Sequence, residues 1–405
     1  MNPGSTQPVQ LAMLINMLSI GSLMMVMPLG PDFVRELGMA AEHIGYIAGG
    51  ATLASALSAA ACAAWLDRLE RKRALVVLLA LRFALLLACA GVTSAGQLIL
   101  LFVLSGLVAG PMGAVLMASM LDLIPPAERG RKLAHVAMGF SLAAILVTPA
   151  ALELSRLWGW RMPFLLFGGL GLALAVACIA LFPSPPRHPR AAASLLPLLR
   201  TPLCLGALAL VALQMAGHFL LVPHFANFFE FNLGFARDQL GLLYLCGGLA
   251  SIASMRIGGG LIDRGHAAAV ALTSSGLLAL VTLLGFVLLA PLPLFVTFAL
   301  FMALSALRTS STTTILAGIP APNQRAAFMA LQGTVSNVAA GLGSLASARY
   351  LGTDATGALL GFERLAGLNA LAGLAGLAAG AGVLALLDAL RRRAQATAPT
   401  TTSQA

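Results

Sequence analysis

Charge, aromatic rings and paired cysteines are all scarce in this chain of 405 residues. Only 9% of the residues are charged, and the chain has three Trp and three Tyr. The five cysteines stand alone inside apolar runs, so they form neither a disulfide framework nor the spacing of a metal site. No G-x-S-x-G, H-E-x-x-H or phosphate-binding loop is present. We therefore expect no enzymatic activity, no bound metal and no cofactor.

The net charge of +10 does not by itself indicate a nucleic-acid partner. The basic residues lie in short clusters between apolar runs, and no continuous basic face with interleaved aromatic rings is present. The sequence therefore predicts no nucleic-acid binding.

Long apolar runs dominate the sequence instead. The chain is 59% hydrophobic, with a mean hydropathy of +0.94, and a run of about 20 apolar residues is enough to cross a bilayer. Because lipid offers no partners to backbone polar groups, such spans must be helices. Breaks at charges, Pro and Gly predict an all-α membrane protein with twelve transmembrane helices, at 9–30, 43–66, 74–93, 96–123, 133–155, 161–182, 202–225, 238–262, 267–289, 292–316, 326–349 and 365–388.

The distribution of Lys and Arg predicts the orientation. If the N-terminus is cytoplasmic, fifteen of these residues fall on the inner side and six on the outer side. Both termini are therefore predicted to be cytoplasmic. The near absence of Lys beside abundant Arg, Ala and Leu suggests a bacterium, so we expect the protein to reside in a bacterial inner membrane.

The sequence repeats itself at a shift of 196 residues. The stretch LGMAAEHIG (37–45) matches LGFARDQLG (233–241), and an Asp-Arg pair follows each at the same spacing. Such a repeat indicates two pseudo-symmetric six-helix bundles. We predict an N-terminal bundle at 1–182, a cytoplasmic loop at 183–201, a C-terminal bundle at 202–390 and a cytoplasmic tail at 391–405.

The repeated Asp-Arg pairs resemble a motif of the major facilitator superfamily (MFS), G-x-L-x-D-R-x-G-R-[KR] after helix 2. The second half reads GGLIDRG (259–265), and the first reads AAWLDRLERKR (63–73), which departs from the pattern at Ala63 and Glu70. Over the whole chain the similarity is to twelve-helix bacterial permeases that export drugs or metabolites. It implies the MFS fold.

The resemblance also implies a gate on the inner face. Asp67 would meet the N-terminus of the eleventh helix, whose positive dipole end favours a carboxylate, and Arg68 or Arg71 would pair with Asp122. By two-fold symmetry, Asp263 and Arg264 would act at the start of the fifth helix. The alternative is that these charges only anchor the topology.

In this fold, helices 1, 4, 7 and 10 line a central cavity, where polar residues at membrane depth are functional candidates. The candidates for the substrate cavity are Asn16, Ser19, Pro111, Gln214, His218, Arg308 and Thr312. Arg308 could instead snorkel to the surface, and for Arg82 and Arg256 we expect snorkelling or pairing between the bundles. The candidates for proton coupling are Asp32, Glu153 and His218.

The remaining aromatic residues bear on the substrate. Trp65, Trp158 and Trp160 fall at predicted membrane interfaces, so we interpret them as anchors and not as platforms for sugars. Cavity helices rich in Met, Leu and Phe suit amphiphilic organic molecules.

These features together predict a monomeric secondary active transporter whose partners are a small-molecule substrate and the lipid bilayer. It would export a small amphiphilic or weakly anionic compound by alternating access, driven by an ion gradient, namely protons. One alternative is an importer or facilitator of a metabolite such as an organic acid. Another is a non-transporting membrane sensor or scaffold on the same fold.

Overall fold

The computed structural model describes residues 6–66, 69–184, 196–321 and 324–376, and most of this part of the chain is helical. Numbered in chain order within these ranges, the helices are α1 Gln7–Met24, α2 Gly30–Leu37, α3 Ile44–Leu66, α4 Arg71–Ala88, α5 Ala95–Leu123, α6 Arg129–Leu142, α7 Thr148–Trp158, α8 Arg161–Leu181, α9 Leu196–Leu199, α10 Pro202–Leu221, α11 Phe225–Asn227, α12 Leu240–Leu261, α13 Ala267–Thr282, α14 Leu294–Ala317, α15 Arg325–Tyr350 and α16 at 362–376.

The helices reproduce the twelve predicted spans, the last of them only as far as residue 376. The fifth span consists of α6 and α7, joined by a π-helical turn at Ala143–Val147. Nine segments of the described chain qualify as spans by length and hydropathy alone, and one of them, Arg237–Val287, contains both α12 and α13. The more polar α15 is not among the nine, so its assignment as a span rests on its packing against α3 and α10.

Helices α1–α8 pack together as one half of the molecule, and α10–α16 form the other. The 196-residue repeat is visible in the backbone. Gly38 and Gly234 both adopt a positive φ, 60° and 65°, which only glycine adopts without strain. Each is followed by a 3₁₀ turn at equivalent positions, Ala41–His43 and Arg237–Gln239, that leads into α3 or α12.

A buried arginine ties three helices of the first half together. Arg82 on α4 is 1% exposed. Its Nη2 donates to the Ser19 carbonyl at 2.7 Å and the Ser22 hydroxyl at 2.9 Å, both on α1, and its Nη1 donates to the Ser105 carbonyl on α5 at 3.2 Å. The expectation of snorkelling or pairing between the bundles is therefore wrong for Arg82, because these acceptors inside one bundle hold its guanidinium.

We expect the variant Arg82→Gln to unfold more readily. The shorter amide cannot reach all three acceptors, and each buried polar group left unsatisfied costs about 1–3 kcal/mol. The melting temperature of the purified protein in detergent should therefore fall. Arg256→Gln, on the exposed surface of α12, is the matched control and should melt like the wild type. Equal melting temperatures for all three proteins would contradict the structural role of Arg82.

One of the three tryptophans lies in the core. Trp160 is 1% exposed and packs edge-on against Phe33 and Phe164, with ring centroids 5.4 Å and 5.8 Å away. Trp65 and Trp158 are well exposed, as an interfacial anchor should be. The interpretation as an anchor is therefore wrong for Trp160. The positive φ of Gly159, 88°, reverses the chain direction between α7 and α8 and turns Trp160 inward.

Aromatic rings form the core at one end of the second half. Seven phenylalanines that are at most 1% exposed meet there, with Phe228 and Phe362 stacked at 3.9 Å. The set comprises Phe225, Phe228, Phe229, Phe286, Phe298, Phe301 and Phe362. Because these rings come from α11, α14, α16 and the π-helical turns at Phe228–Asn232 and Leu283–Val287, they hold this end of the half together as a unit.

Candidate functional site: the interface between the halves

The two halves meet along two helix pairs, α3 with α15 and α7 with α12. In the first pair glycines face the opposite backbone directly. A Cβ placed on Gly49 would lie 2.7 Å from the Gly341 carbonyl oxygen, and one placed on Gly341 would lie 2.9 Å from the Leu53 Cβ. In the second pair, a Cβ on Gly248 would lie 3.5 Å from the Ala144 carbonyl oxygen. Small residues thus let the two halves approach closely.

The second glycine of the sequence repeat lies at this interface in both halves. A Cβ on Gly45 would lie 2.6 Å from the Ser344 carbonyl oxygen, and one on Gly241 would lie 2.9 Å from Glu153 Oε1. Ser344 also donates its hydroxyl to the Gly45 carbonyl at 3.0 Å. The repeat therefore has a physical reason, since both copies bring a half against its partner.

Asp32 is the centre of a polar cluster that joins the halves. Its carboxylate accepts two parallel hydrogen bonds from Arg237 of the second half, from Nε at 2.9 Å and from Nη2 at 2.6 Å. From its own half it accepts the Ser155 hydroxyl at 2.6 Å and Arg35 Nη1 at 3.2 Å. Asp32 is 9% exposed, so these are charge-assisted bonds largely shielded from water.

Further polar contacts surround this cluster. Arg35 forms an ion pair with Glu230 of the second half. Asn227 donates its amide to the Ala41 carbonyl at 2.7 Å, again across the interface. Together with Asp32 and Arg237, these residues lie where α3 begins and α15 ends, which we call the closed end.

A short hairpin of the second half reaches over to the first half at the closed end. Strands β1 Gly352–Thr353 and β2 Leu359–Leu360 pair antiparallel, and the Thr353 hydroxyl accepts the Ala41 N–H at 2.9 Å and donates to Glu42. In the turn, hydrogen bonds from the Thr356 hydroxyl and from backbone N–H groups hold the pKa of Asp354 below its usual range.

The opposite end differs from the closed end in its contacts. Among the described residues, every hydrogen bond and ion pair that crosses between the halves lies at the closed end. The interface face of α3 continues away from that end to Leu57, which is 56% exposed. The corresponding face of α15 continues to Thr334 and Asn337, both exposed. The faces that pack at the closed end thus continue as exposed surface at the other end, which we call the open end.

The predicted inner gate lies at this open end. Asp67 and Arg68 fall outside the described residues. Arg71 Nε lies 3.0 Å from Asp122 Oδ2, and both side chains are largely buried within the first half. Asp263 and Arg264 are exposed and make no hydrogen bond or ion pair with the residues that the structure describes. Their role in gating stays a prediction.

The predicted cavity residues of the first half make contacts inside that half. Asn16 donates its amide to the Val136 carbonyl on α6 at 3.1 Å, and Ser19 offers its carbonyl to Arg82. Pro111 is buried within the continuous helix α5. These contacts tie helices together and leave a role in the cavity as a prediction.

The candidates of the second half form a row between α10 and α14 that is buried except at His218, which is partly exposed. His218 Nδ1 lies 3.3 Å from the Ser305 hydroxyl, and its ring stacks on Phe301 at 5.5 Å with an angle of 7° between the planes. Arg308 is one turn further along the face of α14 that carries Ser305, and it is 2% exposed, so it does not snorkel. Gln214 and Thr312 are also buried.

Of the three candidates for proton coupling, two carry ion pairs at the closed end. Glu153 pairs with Arg156 of its own helix at 2.8 Å, and Asp32 pairs with Arg237. His218 has no ion pair with any described residue. Within the ranges that the structure describes, no group of His, Cys, Asp and Glu could hold a metal ion.

Sequence reasoning assigned Arg237 only to the outer-side charges and did not consider Glu230. A signal for both was present, since each half carries an acid and a base in the short loops that precede its second helix.

Comparison with known proteins supports the architecture. The family model described as Major Facilitator Superfamily matches residues 11–344. Among solved structures, the chain is similar to the nucleoside transporter NupG, with a TM-score of 0.73, 13% identity and 93% of this chain and 98% of that chain covered. A D-xylose-proton symporter gives a TM-score of 0.71 at 14% identity, with 91% of this chain and 96% of that chain covered.

Two relatives found by sequence have a higher identity to this chain than these structures, but their matches cover a smaller part of it. A chloramphenicol efflux pump of Mycobacterium tuberculosis is 26% identical over 279 residues, which is 64% of this chain and 64% of the relative. A probable sugar efflux transporter of Helicobacter acinonychis is 31% identical over 137 residues, which is 33% of this chain and 35% of the relative. The matches thus span less than two thirds of these relatives.

The family match covers most of the chain, and the two halves, their repeat and their interface fit it. The chain therefore belongs to the major facilitator superfamily, whose members are transporters and not enzymes, and its apolar helices make it a multi-pass membrane protein.

Proposed function

We propose that this protein exports a small amphiphilic or weakly anionic organic compound from a bacterial cell by alternating access, in exchange for protons. The observation that carries the proposal is the asymmetry of the interface, in which the hydrogen bonds and ion pairs between the described residues of the two halves all lie at the closed end. Two rigid halves that share one continuous pair of faces can close at either end, which is what alternating access requires.

The charge distribution assigns a direction to this conformation. If the termini are cytoplasmic, as the count of Lys and Arg predicts, the closed end faces outward and the open end faces the cytoplasm. A compound from the cytoplasm would enter at the open end, and the inner gate would then close behind it. We assign this closing step to Asp67, Arg68, Arg71 and Asp122 in the first half and to Asp263 and Arg264 in the second.

We assign the coupling proton to His218. Its imidazole is partly exposed on α10, a helix that lines the central cavity in this family. Asp32 and Glu153 already have cationic partners at the closed end. In this proposal Asp32 acts as part of the outer latch and His218 as the proton carrier. Export is supported by the relatives named as efflux proteins.

A transport assay in proteoliposomes tests this function. The first probe is radiolabelled chloramphenicol, taken from a panel of amphiphilic compounds. It should move in the direction opposite to the proton flow that an imposed gradient drives, and its transport should stop when a protonophore collapses the gradient. Transport in the same direction as the protons would support the importer of an organic acid instead. No transport of any panel compound, with or without a gradient, would support the sensor or scaffold.

The variant His218→Gln should show whether exchange of the probe across the membrane can occur without coupling to protons. The amide keeps a hydrogen-bonding group beside Ser305 but cannot carry a proton, so probe exchange should persist while proton-driven accumulation falls about tenfold or more. His266→Gln, in the exposed turn before α13, is the control and should behave like the wild type. Normal accumulation by His218→Gln would exclude His218 as the carrier.

A further inference from the structure

The guanidinium of Arg308 is buried without a partner. It is 2% exposed, and its Nε and Nη2 atoms are shielded from solvent and make no hydrogen bond with the described residues. These two atoms lie on one edge of the planar group, so their N–H bonds point the same way. An edge of this kind matches the two oxygens of a carboxylate.

Another arginine of this protein has the corresponding edge of its guanidinium occupied. At the closed end Arg237 uses its Nε and Nη2 to hold both oxygens of Asp32, at 2.9 Å and 2.6 Å. Arg82, equally buried, has its Nη1 and Nη2 atoms bonded to two backbone carbonyls and a hydroxyl, and only its Nε has no partner among the described residues. Arg308 therefore differs from these two arginines in leaving both atoms of the carboxylate-binding edge empty.

The helices around Arg308 offer no internal anion. Helices α10, α12, α13, α14 and α15 contain no Asp or Glu. The nearby Ser311 hydroxyl donates to the Leu307 carbonyl of its own helix at 2.7 Å. His218 is close enough for the positive charge of Arg308 to act on it, and it cannot supply a negative charge. A buried charge without compensation is costly, so an anion from outside the chain would stabilise this site.

The surroundings indicate the rest of the ligand. Phe301 is fully buried beside His218, and the two rings are stacked, so the wall next to Arg308 is flat and largely apolar. A single cation balances a single negative charge. Arg308 lies close to His218, which is partly exposed, so the site is near the accessible surface of the second half.

We infer that Arg308 binds the carboxylate of an amphiphilic monocarboxylate substrate through its Nε and Nη2 edge, with the apolar body of the substrate against His218 and Phe301. This inference rests on the proposed transport function and narrows its substrate class. It assigns the recognition of charge to the second half alone.

Binding to the purified protein in nanodiscs tests the inference without any transport step. The probes are naphthalene-2-carboxylate, its carboxamide and the corresponding methylamine, which share one apolar body. We expect the carboxylate to bind about tenfold or more tightly than the amide, because a charge-assisted pair replaces a neutral contact. Equal binding of the three probes by the wild type would overturn the inference, whatever the variants do.

Variants of Arg308 test whether its guanidinium is the source of the preference for the carboxylate probe. Arg308→Gln should abolish the preference for the carboxylate, and Arg308→Lys should keep only part of it, because an ammonium has the charge without the flat edge. Arg256→Gln on α12 is the matched control and should bind like the wild type. A preference that survives in Arg308→Gln would overturn the assignment.

Chloride separates a substrate site from a site for any small anion. If chloride at millimolar concentration displaces naphthalene-2-carboxylate as well as unlabelled carboxylate does, the site holds an inorganic anion and the inference fails. The proposed function fails by a different result, namely transport that is indifferent to the proton gradient. Carboxylate binding can hold while that coupling fails, so the two outcomes are distinguishable.

Discussion

Replacing Gly49 with leucine should abolish transport by forcing the closed end open. A side chain at this position meets backbone atoms of the other half, the Gly341 carbonyl oxygen at 2.7 Å and the Leu345 nitrogen at 2.8 Å, and backbone cannot move aside as a flexible side chain can. Overpacking of this kind costs about 1–3 kcal/mol. If that cost applies only to the state closed at this end, the equilibrium shifts by about 5- to 150-fold toward the other state.

Spin labels at the exposed positions 36 and 238 measure this shift, since they lie on opposite halves at the closed end. Their distance should increase in Gly49→Leu, and transport should fall about tenfold or more. Gly169→Leu is the control, because nothing lies within 4 Å of a Cβ at Gly169 on α8. An unchanged label distance together with normal transport in Gly49→Leu would show that α3 and α15 do not need this close approach.

Removing the charge of Asp32 should open the same end by a different route. In Asp32→Asn, the guanidinium groups of Arg237 and Arg35 lose a shared carboxylate, and Arg237 is left with a buried charge that has no counter-ion. Loss of one partner of a mostly buried pair costs about 3–5 kcal/mol. We therefore expect the distance between the labels at 36 and 238 to increase and the transport rate to fall by about two orders of magnitude.

A double-mutant cycle tests whether the effect belongs to the pair. Arg237→Gln combined with Asp32→Asn removes both charges, so the double variant should be closer to the wild type than Asp32→Asn alone. The control is Glu363→Gln, because Glu363 is a partly exposed carboxylate on α16 that forms no hydrogen bond or ion pair across the halves with any described residue. Additive losses in the double variant would mean that Asp32 and Arg237 do not act as a latch.

The sequence predicted the architecture because a membrane constrains the chain strongly. Apolar runs must be helices in lipid, and the repeat around Gly45 and Gly241 predicts two equivalent bundles. The interface role of these glycines could not be predicted, because a sequence repeat records that a position recurs and not what it touches.

Individual polar residues were harder to predict. Hydropathy cannot tell whether the Arg82 side chain reaches the surface or bonds to carbonyls inside its own bundle. It also predicted a membrane-interface position for Trp160, whereas the turn at Gly159 directs this side chain into the core. The pair of Asp32 and Arg237 was missed because these residues are 205 positions apart in the sequence and meet only when the two halves are assembled.

The composition of the α3–α15 contact has a kinetic consequence. Opposite Gly45 and Gly49, α15 presents backbone atoms and the short side chains of Ser344 and Ala348, so few long side chains interlock there. Two such surfaces can move past one another without changes of side-chain rotamers. Little of the free-energy barrier between the two conformations would therefore arise from the contact of α3 with α15. The turnover rate would then be set by the few polar bonds at its rim, and bulkier residues along this contact would slow every cycle even where they fit.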